Sequence, residues 1–331
     1  MESSLKSNLE LVKECDRSVQ PVRTFFKKGT DITYPSFAYG DPDYYARLIS
    51  SYYKFHICGE VVGWLLPSTV EKMPWTEDFD ISHSTKMIST KNGDVNEAIK
   101  RQLAIARELG TFKVLKGWRD ELYPIIAPIS AGGGLKMERA GAALFGIVTL
   151  GVHMTAYTRT ENGMSIWVPR RAKSKQTYGG MLDNTVAGGI SYGEEPFESL
   201  VREAAEEASL PEEVVRKRAK ACGTVSYFHV RDVRAGGETG LLQPEVQYVY
   251  DLELPSNITP EPSDDEVEKF YLWSVEEVQR ALAEGQFKPN CAMVLLDFFV
   301  RHGILTAENE RDYVEIVSRL HRRMPFPTTS L

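Results

Sequence analysis

The sequence predicts a mixed α/β protein of two domains, on three observations. Its 331 residues leave room for more than one sizeable core. Stretches with strand-like alternation are interspersed with stretches of helical periodicity along the whole chain. A Gly triplet inside IAPISAGGGLKMERAG marks the most credible boundary, giving a smaller α+β domain over 1–135 and an α/β domain over 136–331.

Taken in order, SNLELVKECDRS reads as a helix and YYKFHICGEVVGWLL as strand, turn and strand. VNEAIKRQLAIARELG is an amphipathic helix closed by Gly110. FKVLKGWRDELYPIIA reads as strands. In the second half, residues 164–168 form an apolar strand, followed by a basic turn and a short strand that enters Gly188-Gly189. A helix starts at Pro196, with Pro early and Glu in the first turn. PEEVVRKRAK is the next helix, opened by the capping-box pattern Ser209-Leu210-Pro211-Glu212. Residues 222–230 and 246–254 alternate like paired strands, and the Gly-rich VRDVRAGGETGLLQPE between them looks mobile, a candidate lid. The Pro-rich loop ELPSNITPEPSDDE precedes the strand KFYLWS. Three helices close the chain and serve packing; Ser274 caps the first, and AMVLLDFFV is either core or a dimer face. PFPTTSL should fray.

Residues 188–210, GGISYGEEPFESLVREAAEEASL, are the most informative stretch. They place Gly188, Glu194, Arg202, Glu203, Glu206 and Glu207 at the spacing G-x5-E-x7-R-E-x-x-E-E. Average residue usage gives that combination at roughly one start position in ten million. On a helix, Glu203, Glu206 and Glu207 crowd one edge, and like charges so close destabilise it. A solvated acidic face with Arg202 paired to Glu198 and Glu206 is one account. A hard-cation site is the better one, because Mg2+ takes carboxylate oxygens and fills its other positions with water and substrate phosphates.

On these residues the chain resembles the Nudix family, whose box reads G-x5-E-x7-R-E-U-x-E-E-x-G-U with U a bulky aliphatic. The resemblance implies a loop–helix–loop on an α/β/α sandwich with a mixed sheet. It also implies Mg2+-dependent hydrolysis of a small diphosphate, with Mn2+ the other candidate metal. Glu203, Glu206 and Glu207 would hold the metal, Arg202 would orient Glu194, and Gly188 and Gly189 would let the backbone turn tightly. Two positions depart from the pattern: Ala204 is small, and Ser209 replaces a Gly whose backbone is expected to be left-handed, at a cost of about 1 kcal/mol. All acidic positions survive, which argues for an active enzyme.

Upstream, Arg170, Arg171, Lys173 and Lys175 supply cations suited to a diphosphate, with Arg171 and Lys175 the ones to test. Glu245, Glu253, Glu266 and Glu268 are spare acids, any of which could assist. Over nearly its whole length the chain resembles the fungal and plant Nudix subgroup often labelled thiamine pyrophosphokinase-related. That resemblance implies hydrolysis of thiamine diphosphate analogues, particularly oxo and oxy damaged forms, to the monophosphate, a form of metabolite damage repair. Such a head group suits aromatic neighbours, and Tyr52, Tyr53, Trp64, Trp75 and Trp118 lie in the first half, though each alone is more often core. A damaged-nucleotide (8-oxo-dNTP type) diphosphatase would use the same box. A thiamine pyrophosphokinase and a non-catalytic diphosphate sensor are the remaining alternatives.

Composition narrows the field further. A formal net charge of −7 disfavours nucleic acid polymer as a partner, while a small anionic substrate needs only local cations. No apolar run approaches a membrane span, and the N-terminus resembles neither a secretory signal nor a transit peptide. Four separated cysteines suit a reducing compartment, and a cytoplasmic monomer or homodimer is expected. Six scattered histidines without HxH or HxxxH pairs make zinc improbable.

Overall fold

The computed structural model describes residues 5–16, 50–91, 93–127, 134–161, 163–263, 265–324 and 327–328. In chain order the elements are α1 (Asn8–Cys15), β1 (Tyr53–Ile57), β2 (Glu60–Leu65), α2 (Pro67–Lys72), β3 (Phe79–Ser82), β4 (Met87–Thr90), α3 (Val95–Glu108), β5 (Leu122–Pro124), β6 (Lys136–Glu138), α4 (Ala142–Phe145) and β7 (Thr149–Thr160). They continue with β8 (Gly163–Arg171), β9 (Val186–Gly189), α5 (Pro196–Ala208), α6 (Glu212–Arg218), β10 (Lys220–Val230), β11 (Leu242–Glu253), β12 (Val267–Ser274), α7 (Val275–Ala283), α8 (Pro289–Arg301) and α9 (Tyr313–Leu320). No helix among the described residues is long and apolar enough to cross a membrane.

Two compact units emerge, and their limits differ from a cut at residue 135. One gathers residues 1–15, 150–227 and 245–323; the other gathers 16–149, 228–244 and 324–331. The first helix thus belongs with the C-terminal sheet, because Leu11, Val12 and Cys15 are apolar on one face and pack into its core.

In the unit built on residues 16–149, a four-stranded sheet runs in the order β2-β1-β4-β3. β1 pairs antiparallel with β2 and parallel with β4. Helix α3 starts where the Asp94 side chain accepts from Asn96 N and Glu97 N, and it ends before Gly110, whose φ of +62° suits a residue without Cβ. Its apolar face covers Phe55, Phe79 and Phe145, with Tyr53, Trp75 and Trp118 in or against the same core. The stretch FKVLKGWRDELYPIIA departs from the strand expectation: Lys113–Gly117 forms a 3-10 turn that buries only Leu115, and only Leu122–Pro124 pairs as a strand.

The loop of residues 231–241 is tied down, contrary to its reading as a mobile lid. Glu238 accepts from the backbone N–H groups of Lys113 (2.6 Å) and Val114 (3.0 Å). Arg231 donates to Ala235 O and Gly236 O, and a Cβ on Gly237 would fall 2.5 Å from Val114 Cγ1. Its glycines serve positive φ and close packing as much as looseness.

The other unit is an α/β/α sandwich. Its sheet runs β10-β11-β7-β8-β12, with β9 attached to β7 alone. Along β7, Val152, Met154 and Ala156 face α5 and α6, while Tyr157 points to the opposite layer of α1, α7, α8 and α9. Helix α8 is buried nearly all round, which makes AMVLLDFFV core. Ser274 forms the expected capping box with Glu277. Ser209 does not cap α6, whose N-cap is Pro211 with no side-chain bond. It instead ends α5 in the left-handed conformation (φ 52°, ψ 26°), donating its N–H to Ala204 O.

Two stability changes follow. Leu296→Ala, at a fully buried α8 position, should cost about 3 kcal/mol in urea unfolding through lost burial and the cavity left behind. Ser209→Gly should raise stability by about 1 kcal/mol, as the left-handed residue loses its Cβ conflict.

Candidate active site

The site begins with two bare backbone positions. Gly188 and Gly189 end β9, paired with Val152 and Gly151 of β7, and neither has positive φ. The tight-turn role expected of them falls instead to Gly193, with φ +84°. Gly188 serves close approach: a Cβ there would lie 2.1 Å from Glu203 Cδ and 2.2 Å from Oε1. Helix α5 is held this near the sheet by Leu200, Val201, Ala204 and Ala208. Ala204, the small residue where the box has a bulky one, is wholly buried there.

Arg202 organises the acids around it. Its Nε and Nη2 donate to the two oxygens of Glu194 at 2.8 and 3.1 Å, a bidentate pair. Its Nη1 donates to Glu203 Oε1 (3.0 Å) and Glu206 Oε2 (2.9 Å). Glu198, considered as a partner for Arg202, is taken by Arg216. Glu207 points inward, where its Oε2 accepts the Ala187 N–H at 3.0 Å. Burial first, then the charges of Glu203 and Asp183, push its carboxyl up to about 8.

These carboxylates suit a hard divalent cation. The donors are all oxygen, and Glu203 and Glu207 meet with mutual repulsion that a cation would relieve. Glu206 is half-exposed and turned to Arg202. Among the described residues no group of three His, Cys, Asp or Glu side chains is already gathered as a metal cluster.

The cations picked from sequence have other partners. Arg171 is buried, donating to Asp183 Oδ2 (2.5 Å) and Thr177 O (3.2 Å). Lys175 pairs with Glu266, and its charge also reaches Glu207. Arg170 donates to Tyr271 OH (3.1 Å) and Gly180 O (2.8 Å), and Lys173 is exposed. Of the spare acids, Glu266 stands nearest in role to the box, through Lys175. Glu245 accepts from Tyr227 OH and Gln247 Nε2, Glu253 lies by Tyr157 and Arg159, and Glu268 is exposed.

Sequence reasoning missed a buried polar group beside the box. Asp183 accepts from Arg171, from Asn184 N (2.9 Å) and from Cys291 Sγ (2.6 Å). Burial alone would raise its carboxyl, but Arg171, then Lys288 and the Cys291 thiol, hold it well below the usual range. His153 donates its Nδ1–H to Asn184 Oδ1 at 2.7 Å, since Asn184 Nδ2 is turned to Cys291 O. Burial, then Lys288, lower His153 to about 4 and keep it neutral. No spacing pattern links residues 153, 183, 288 and 291, so only the fold brings them together.

Comparison with known proteins agrees with this geometry. A NUDIX domain model matches residues 149–291, and a domain of unknown function (DUF4743) matches residues 46–149. The chain is 37% identical over 292 residues to the uncharacterized protein YJR142W of Saccharomyces cerevisiae, covering 83% of this chain and 85% of that one. It is 36% identical to Nudix hydrolase 20, chloroplastic, and 33% identical to Nudix hydrolase 24, chloroplastic, both of Arabidopsis thaliana. Those matches cover 66% and 70% of this chain and 56% and 62% of the plant proteins. A box helix seated against Gly188 of β9, inside a sheet that the domain match spans, completes the assignment: residues 149–291 of the chain form a Nudix domain, and the chain spans about six-tenths of the length of the two plant Nudix hydrolases that it matches.

Proposed function

We propose that the protein is a Mg2+-dependent diphosphatase whose substrates are thiamine diphosphate analogues, above all the oxo and oxy damaged forms, which it cleaves to the monophosphate. The observation that carries the catalytic part is the approach of Glu203, set against Gly188, to Glu207, held on the Ala187 N–H, with Arg202 bridging Glu194, Glu203 and Glu206. The substrate class rests on the resemblance of the whole chain to the thiamine-related subgroup, and the plant relatives named as hydrolases support the reaction class.

Glu203, Glu207 and Glu206 would hold the metal. When bound, Mg2+ or Mn2+ supplies a Lewis acid that offsets charge growing on the bridging oxygen of the diphosphate. The rest of the work falls to the chain. Ala187 N–H fixes Glu207 Oε2, and the Arg202 guanidinium fixes the helix-borne acids against one another. Water attacks phosphorus, the phosphoanhydride P–O bond breaks, and a glutamate takes the water proton. Glu194 carries two charge-assisted bonds to Arg202 and acts in positioning. The enzyme works as a monomer or homodimer in the cytoplasm, where its four free cysteines stay reduced.

A damaged-nucleotide diphosphatase is the second reading, because the box treats both substrates alike. Phosphate release with Mg2+ from thiamine diphosphate, its oxo and oxy analogues, 8-oxo-dGTP, ADP-ribose and NADH separates the two. Selective release from the thiamine analogues supports the first reading, and a nucleotide preference overturns it. Glu207→Gln should lower kcat by about a thousandfold while the protein still binds substrate. Arg202→Lys should lower kcat by about tenfold or more, since an ammonium cannot make the bidentate pair to Glu194 and also reach Glu203 and Glu206.

A further inference from the structure

Arg171 and Lys175 are the cations that the sequence offers for the anionic part of a substrate, yet Asp183 and Glu266 already neutralise them. Lys288 differs. Its backbone is fixed at the N-cap of α8, where its N–H donates to Leu182 O (3.0 Å) and its carbonyl receives Ala292 N–H (3.0 Å). Leu182 precedes Asp183, and the same segment runs on to Ala187, which bonds Glu207, and to Gly188 beneath Glu203. The Lys288 backbone therefore stands beside the segment that leads into β9.

The Lys288 side chain is half-buried, and among the described residues it makes no hydrogen bond and no ion pair. Withdrawing an ammonium from water without a counter-charge is costly. The nearby anion cannot supply one in full: Asp183 already takes Arg171, the Cys291 thiol and Asn184 N–H. His153 in the same corner is neutral and bonded to Asn184. Among the described residues Lys288 is left without a hydrogen-bonded or ion-paired anion of its own, at the positive end of a thirteen-residue helix.

We propose that Lys288 is a phosphate-binding residue of this site, gripping the diphosphate of the substrate from the α8 side. The inference rests on the diphosphate reading above. A lysine here acts as a point charge on a flexible stem, and it grips ground state and transition state alike. Its loss should therefore appear in KM and leave kcat nearly intact.

The test is titration calorimetry of methylenediphosphonate with Mg2+ on the full chain, beside steady-state kinetics on the best substrate of the panel. In Lys288→Met the dissociation constant and KM should each rise by about tenfold or more, with kcat within about threefold. Lys288→Arg should recover most of the loss. Lys288→Gln serves as a second neutral variant, with melting curves confirming that each protein is folded. Unchanged binding and KM in a folded neutral variant overturns the proposal, and it does so without touching the hydrolase reading. Wild-type protein that cleaves nothing but binds methylenediphosphonate through Lys288 has the opposite meaning: the diphosphatase reading fails and the phosphate site stands.

Discussion

The structure of the catalytic unit depends on one close approach. Helix α5 lies so near β9 that the Glu203 carboxyl group occupies the space a Cβ on Gly188 would need. That contact requires glycine on the strand and small or well-fitted apolar residues on the helix, and Ala204 and Ala208 meet the requirement with no exposed surface. Once the helix is seated, Glu207 is driven inward onto the Ala187 N–H, and Arg202 is left at the rim with three carboxylates around it. Burying an acid beside another acid is unfavourable in isolation. The apolar contact of α5 with β7 and β9 supplies the compensating energy, and the repulsion within the acid pair is what a hard cation would relieve.

Behind this edge, buried charge is handled by exact pairing of donors with acceptors. Asp183 and Arg171 form an ion pair almost without solvent contact, and removing either partner from such a pair commonly costs 3–5 kcal/mol. The pair links β8 to the segment entering β9, while Cys291 carries the connection to α8. Burial and the Asp183 charge push the Cys291 thiol up, which keeps it a hydrogen-bond donor and an unreactive one. A second network, in which Arg301 joins Asp251 to Asp297, fixes α8 against β11. Helix α8 is thus pinned at its start by Lys288 and Leu182 and near its end by Arg301.

The unit built on residues 16–149 has its own core of Phe55, Phe79, Phe145 and Trp75, with ring centroids of Phe55 and Phe145 at 4.9 Å. Tyr53, Trp75 and Trp118 belong to that core or pack against it, which accounts for three of the aromatic side chains considered for a head group. Residues 228–244 group with this unit, and Glu238 caps the backbone of the Lys113–Gly117 turn. Glycine-rich composition misled there, because positive φ and tight packing against Val114 call for glycine just as a loose loop does.

The sequence by itself determined the periodic and the motif-borne parts. Alternation specified the hairpin at residues 53–65 and the neighbours β10 and β11, and the 3.6-residue period specified α3, α5 and α8. The capping box at Ser274 and the glycine after α3 were equally legible, because each depends on two or three adjacent residues. The box spacing placed Glu203, Glu206, Glu207, Arg202 and Glu194 within one helical turn or one loop of each other. Only the tertiary structure decided which charges were already spent. Arg171 is consumed by Asp183, twelve residues away, and Lys175 by Glu266, ninety-one residues away. It also decided that Ser209 ends a helix and caps none, and that Lys288, His153 and Cys291 gather around Asp183. Local pattern reports what one stretch of chain prefers, whereas the state of a buried charge depends on every element packed around it.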